Sequence, residues 1–174
     1  GSRNQAKMKD FVKWLLATFD ADCFNHVLDV ASGKGELAAR LAMCHCSNVT
    51  LVDPRPADVP GIFLKTVVPR LPNKWQTRLE ARLQNNPNFL KETVTGRVQQ
   101  IDAYFTQDSV VADAILKKAI EDCTIMIGMH ADSATECIVD VALQYGKPFV
   151  VVPCCVFPNL FCDRFIPDDG SKVA

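Results

Sequence analysis

With 174 residues, 48% of them hydrophobic, and a net charge of −1, the chain is expected to fill one core and to be too short for two ordinary domains. No apolar run reaches the roughly 20 residues that cross a bilayer, and none has the layout of a secretory signal, so a soluble domain over residues 1–174 is expected, with no membrane contact. Eight cysteines, several of them in apolar surroundings (Cys23, Cys123, Cys137, Cys154), read as packing thiols and point to a reducing intracellular compartment, cytoplasm or nucleus.

In chain order, Gly1-Ser2 reads as a cloning scar. Residues 5–19 place Phe11, Trp14, Leu15 and Phe19 at helical spacing, which predicts an amphipathic helix packed on the core. The next stretch, HVLDVASGKGELA at 26–38, is an apolar run holding one acid, Asp29, followed by a glycine turn and a helix-like pattern. Strand, glycine turn and helix in that order make a nucleotide-binding crevice, because bare backbone and a helix N-terminus can approach a ligand closely. A second strand, NVTLVD at 48–53, ends in Asp53 about twenty positions past the turn, where a carboxylate can accept from ribose hydroxyls.

From Pro54 to Arg97 the chain turns basic, with Arg55, Lys65, Arg70, Lys74, Arg78, Arg82, Lys91 and Arg97 against Asp58, Glu80 and Glu92. Six prolines punctuate it, and Trp75, Leu79 and Leu83 predict a helix over 73–84 with Arg78 and Arg82 on a neighbouring face. Such a face is either solvated or an electrostatic contact for nucleic acid, RNA being the expected partner through Arg70, Lys74, Arg78 and Arg82 beside the crevice.

Alternation then resumes. A strand over 97–101 ends at Asp102, a helix over 108–121 carries Val111, Ile115, Leu116 and Ala119, and CTIMIGM at 123–129 is a strand. A helix over 133–145 turns Ala134, Ile138, Val141 and Ala142 inward, and PFVVVP at 148–153 is the last strand. Five strands separated by helices predict a parallel sheet covered on both faces, with ligands at the C-terminal strand ends. Residues 154–174 are left as a tail.

Three cofactor and metal chemistries compete for these motifs. The glycine turn with Asp53 would also suit a nicotinamide-binding domain, but Asp29 inside the strand would there be an awkward buried charge. Lys34 is not followed by Ser or Thr at the spacing a phosphate loop needs. Cys44-His45-Cys46 and Cys154-Cys155 lack the two-residue gap that turns paired thiolates onto zinc, so no metal is expected.

HVLDVASGKGELA, LVDP, the strand-end Asp102, IGMH and VVVPCC together resemble the motifs of class I S-adenosylmethionine-dependent methyltransferases, over about residues 7–160. The Ser-Gly-Lys-Gly form and the Cys-Cys after the fifth strand look most like the branch that includes a tRNA ribose 2'-O-methyltransferase. The resemblance implies a Rossmann-like fold in which Asp29, Gly33 and Gly35 flank the methionine part of S-adenosylmethionine, Asp53 holds its ribose, and Asp102 with Ala103 meets its adenine. Ala31, Ser32, Pro54, Gly128 and Met129 complete the implied cofactor-facing set, Ala31 standing where the family usually has its first glycine. The tail over 154–174 is too short for the antiparallel hairpin that normally completes the fold implied by this resemblance, so that hairpin is expected to be missing. The fifth strand would then be an edge open to self-association. His130, with Asp132 nearby, falls where the fourth strand opens towards the acceptor, as base, substrate contact or rim residue. Three readings stay open at this point: an RNA methyltransferase, a methyltransferase of protein or small molecules, and a cofactor-binding or degenerate domain serving a larger assembly.

Overall fold

The computed structural model describes residues 2–153, with side chains from Lys7 onward. Strands β1 (His26–Val30), β2 (Asn48–Val52), β3 (Val98–Ile101), β4 (Ile125–Met129) and β5 (Phe149–Val152) form one sheet in the order β3-β2-β1-β4-β5. All four pairings between these strands are parallel, with Asp29 opposite Leu51 on one side and Ile127 on the other. The connections are helices α1 (Ser2–Thr18), α2 (Glu36–Cys44), α3 (Val59–Ile62), α4 (Asn73–Asn85), α5 (Phe89–Thr95), α6 (Gln107–Ala112), α7 (Ala114–Asp122) and α8 (Thr135–Gln144). The predicted Rossmann-like α/β architecture is therefore present, and β5 is an edge among the described residues. The expected tail over 154–174 lies outside them.

Period-two alternation divides the strands between two cores. Val27, Leu51, Ile125 and Ile127 face α1, α2 and α5, where Leu15, Leu41 and Leu90 meet them. Leu28, Val30, Val52 and Met126 face the opposite layer, built from Val110 of α6, Leu116 and Ile120 of α7, and Ile138 and Val141 of α8. Both sheet faces are thus covered, which is why the strands read as nearly continuous apolar runs. Cys123 and Cys137 sit in the second core, and burial pushes both thiols up to about 11, as inert packing groups require.

Four expectations need correction. Trp14 is 48% exposed, because Val12 and Leu15 supply the inward face of α1, and Trp14 instead stacks on Phe11 with ring centroids 6.0 Å apart. The single helix expected over 108–121 is two: Asp113 leaves the helical conformation and caps α7 by accepting from the N–H groups of Ile115 and Leu116. That break resets the helical phase and leaves Val111 and Ile115 on the outside, 82% and 70% exposed. Trp75 of α4 is likewise 53% exposed, and no residue of α4 is buried. Finally, the 54–97 connection holds α3, a π-helical turn Phe63–Val67 and α5 besides the helix its spacing predicts, and these place Val59, Phe63, Val67 and Leu90 in the first core.

The crossover from β4 to α8 depends on a missing side chain. A Cβ on Gly128 would collide with Cδ1 of Ile138 and come within 3.2 Å of Ala131 Cβ. Gly128 therefore has a packing role of its own, seating α8 against β4, beside the cofactor-facing one that the resemblance implies. Gly128→Ala is expected to cost about 1–3 kcal/mol by overpacking, read as a lower urea midpoint with unchanged slope.

Candidate functional site

Strand order reverses between β1 and β4, since the chain steps outward from β1 through β2 to β3 and then returns to β1's other side. Such a switch point leaves a crevice beyond the C-terminal strand ends, because the helices on either side diverge there. Backbone strain concentrates at the same place. Of the four described non-glycine residues with positive φ, Ala31 (54°) follows β1 directly, and His130 (58°) and Asp132 (44°) follow β4. Left-handed backbone is costly for residues bearing a Cβ and tends to persist at functional sites. The amides of Ala31 and His130 continue the ladders outward by donating to Val52 and Val152 at 2.8 Å, so both left-handed turns are anchored by the sheet.

After Ala31 the turn passes through Gly33 (φ 56°) and Gly35 (φ 75°) into α2. The two glycines differ in purpose. Gly35 is pressed against Val59 and Ala57, whose side chains would lie 3.1 and 3.2 Å from an added Cβ, whereas no described atom lies within 4 Å of one at Gly33. Gly33 is the open position over the crevice, and its N–H donates to Asp53 Oδ2 at 2.9 Å.

Asp53, at the end of β2, is 2% exposed and receives four donors. Besides Gly33, the Arg55 N–H and Nε reach Oδ1, both at 3.0 Å, and Arg55 Nη2 reaches Oδ2 at 3.3 Å. Burial alone would raise this carboxyl. The hydrogen bonds from the Arg55 side chain, Arg55 N–H and Gly33 N–H, with the guanidinium charge, hold it below the usual range instead. The backbone donors are fixed, while the Arg55 side chain is 76% exposed and is the replaceable partner.

Asp29 has the opposite character. It is 2% exposed, and its Oδ2 has no hydrogen-bond partner among the described residues. Burial, reinforced by the Asp53 charge and opposed by the Ala38 N–H at the start of α2, pushes its carboxyl up to about 8. Ser32 Oγ in the adjoining turn is buried and unpartnered as well. Two of the three such side-chain atoms among the described residues therefore lie at the end of β1 and in the turn that follows it; the third, Ser47 Oγ, belongs to the segment between α2 and β2. Buried polar atoms are normally satisfied, so these two are free to exchange hydrogen bonds with a polar ligand or water.

At the rim, Asp102 and Pro54 are exposed, and Ala103 and Met129 half-buried. Gln100 is a residue the sequence did not single out, since one amide in a short strand carries no motif. Its Oε1 accepts from Ala57 N–H at 2.9 Å, and its Nε2 donates to Arg55 O at 2.9 Å and Asp102 Oδ1 at 2.7 Å. It fastens the 53–57 loop to the end of β3. His130 and Asp132 are both exposed. Among the described residues no group of three His, Cys, Asp or Glu is placed to hold a metal ion.

The basic helix stands elsewhere. α4 shares a groove with Met43, Cys44 and Cys46 at the C-terminal end of α2, while the glycine turn precedes the N-terminus of α2. At 1.5 Å per residue the nine residues of α2 separate the two by roughly 13 Å. Arg78 and Arg82 thus lie towards the strand N-termini, not beside the crevice as expected.

Asp29 generates a stability prediction. A carboxyl at about 8 when folded and 3.8 when unfolded binds a proton in the folded state alone between those values. Its contribution to stability is therefore greatest below pH 4 and falls by up to about 1.4 kcal/mol per pH unit until about pH 8. Asp29→Asn should gain on the wild type in urea denaturation as pH rises from 5 to 8, and the difference should be constant above 8. No family model, curated protein or solved structure matches the chain.

Proposed function

We propose that the chain is an S-adenosylmethionine-dependent methyltransferase acting on RNA. The observation that carries this reading is the buried, partnerless carboxyl oxygen of Asp29 beside the open Gly33, within reach of the Asp53 charge. An amino acid ammonium group is the partner such an oxygen lacks, and a ribose diol is what a carboxylate at the end of β2 receives. S-adenosylmethionine carries both groups. A nicotinamide dinucleotide has the ribose but no ammonium to offer Asp29.

The work would be divided among the residues of the crevice. Asp29 and Ser32 would hold the amino acid end, with Gly33 leaving room for it. Asp53 would take the ribose, for which the Arg55 side chain must first swing out; the exposure of that side chain keeps the cost small. Asp102 and Ala103 at the end of β3 border the place left for adenine. When bound, the cofactor supplies a methyl group already activated on a sulfonium, so alignment of the acceptor is the main task left to the protein. His130, exposed at the end of β4, is the group available to take a proton from a hydroxyl acceptor, with Asp132 on the same strained turn. RNA is the acceptor favoured by the basic 54–97 connection, whose eight cations face three acids.

Titration calorimetry with S-adenosylhomocysteine tests the site. An ammonium group needs Asp29 ionised, so affinity should rise with pH, up to about tenfold per unit, until about pH 8 and level off above it. Asp29→Asn should flatten that profile and Asp53→Ala should weaken binding throughout. A folded wild-type protein that takes up neither this ligand nor S-adenosylmethionine at millimolar concentration would refute the cofactor assignment.

For transfer, labelled cofactor and total RNA, with and without nuclease, identify the acceptor. His130→Ala should keep cofactor affinity within a few-fold and lower turnover by about a hundredfold to ten-thousandfold, the loss shrinking at alkaline pH. Full activity in that variant would place His130 on the rim. Binding without transfer to any acceptor would favour a structural, cofactor-binding role.

A further inference from the structure

A second recess lies away from the crevice, between the C-terminal end of α2 and the pair α4–α5. It is a groove of about 900 Å³ lined by Trp75, Arg78, Leu79, Arg82, Phe89 and Arg97 among others. Its composition is unusual for a surface depression. Trp75 is 53% exposed, the Arg78 guanidinium lies 5.1 Å from the Trp75 ring centroid, and the Arg82 guanidinium lies 5.1 Å from that of Phe89. Among the described residues no carboxylate lines the groove. Arg97 Nη1 is fixed from below by donating to Ala42 O at 2.8 Å, whereas Arg78 and Arg82 rest their guanidinium groups on rings.

We infer that this groove is a binding site for single-stranded nucleic acid, which stacks bases on Trp75 and Phe89 and lays its phosphates along Arg78, Arg82 and Arg97. Charge complementarity selects the occupant: three guanidinium groups with no carboxylate beside them in the groove demand an anion, and the aromatic rings that line it with them demand a flat apolar partner. A single strand alternates those two features along its length, and stacking on a ring tolerates any base because every base has a π-face. Guanidinium planes held over rings extend the platform, since bases stack on Arg as well. A duplex, with its bases already stacked inside, meets the charges but not the rings. The inference stands apart from the cofactor reading. Its consequence, if both hold, is that a strand is gripped at one end of α2 while another part of the same molecule reaches the crevice at the other end.

Fluorescence anisotropy with a dye-labelled oligouridylate about ten nucleotides long, its DNA counterpart and a duplex of the same length tests the site on the whole chain. Trp75→Ala, a change at a half-exposed ring that circular dichroism can show to be folded, should weaken single-strand binding about tenfold, a typical stacking loss. The double variant R78Q/R82Q should lower the slope of log affinity against log salt by roughly 1.4, at about 0.7 per phosphate. Equal affinity for RNA and DNA supports the proposal as a site for either polymer, and a preference for one supports it and assigns the groove to that polymer. Absence of single-strand binding, wild-type affinity in Trp75→Ala, or a duplex bound as tightly as a strand would each overturn it, whatever the crevice binds.

Discussion

Two carboxyl groups buried near each other cannot both be charged without a large penalty, and the upper end of this sheet is arranged around that constraint. Asp53 receives four donors, two from backbone and two from the Arg55 side chain, and stays ionised. Asp29 receives the Ala38 N–H, is left with a bare oxygen, and keeps its proton to about pH 8. The asymmetry reverses if a cation arrives. A ligand that brings an ammonium to Asp29 and hydroxyls to Asp53 satisfies both carboxyls at once, which neither a phosphate nor an apolar molecule can do.

The same constraint explains why the backbone around the crevice is strained. For Gly33 to donate to Asp53 the turn after β1 must double back over the end of β2, and Ala31 adopts φ 54° to begin that turn. A glycine would make the turn without a Cβ penalty. Alanine keeps it at some cost, and the ladder bond from Ala31 N–H to Val52 O helps to hold it. β4 repeats the device with His130 and Asp132, so the two central strands present left-handed turns on either side of the switch point. Backbone already held in this way would leave less ordering to be done if a ligand bound there.

Much of this was legible in the sequence. The alternation of apolar runs and helical spacing located all five strands to within about two residues, and Asp29, the glycine turn and Asp53 were recognisable because each is tied to a local pattern. Features that escaped were set by contacts between distant segments. Gln100 matters through three hydrogen bonds to residues up to 45 positions away. The packing role of Gly128 arises because Ile138, on the following helix, sits where its side chain would be. The phase reset at Asp113 escaped because the apolar spacing on either side of it is continuous with a single helix. Positive φ at His130 and Asp132 has no signature in composition at all.

The 54–97 connection demonstrates how a segment with weak local signals can shape both the crevice and the groove. Its first part packs Val59 and Ala57 against Gly35, so the loop after Asp53 and the glycine turn position each other. Its middle part, through the π-helical turn, inserts Phe63 and Val67 over α2 in the first core. A π-turn accommodates one residue more than an α-turn and re-aims the chain beyond it, and Pro69 then enters a 3-10 turn that leads out to α4. α4 has no buried residue of its own and depends on its partly buried Leu79 and Leu83 for contact with the core. A helix so lightly attached adds mostly surface, and that surface carries Arg78 and Arg82 over aromatic rings. α2 begins at the crevice loop and ends at the groove it shares with α4 and α5, so its length sets the spacing between the two.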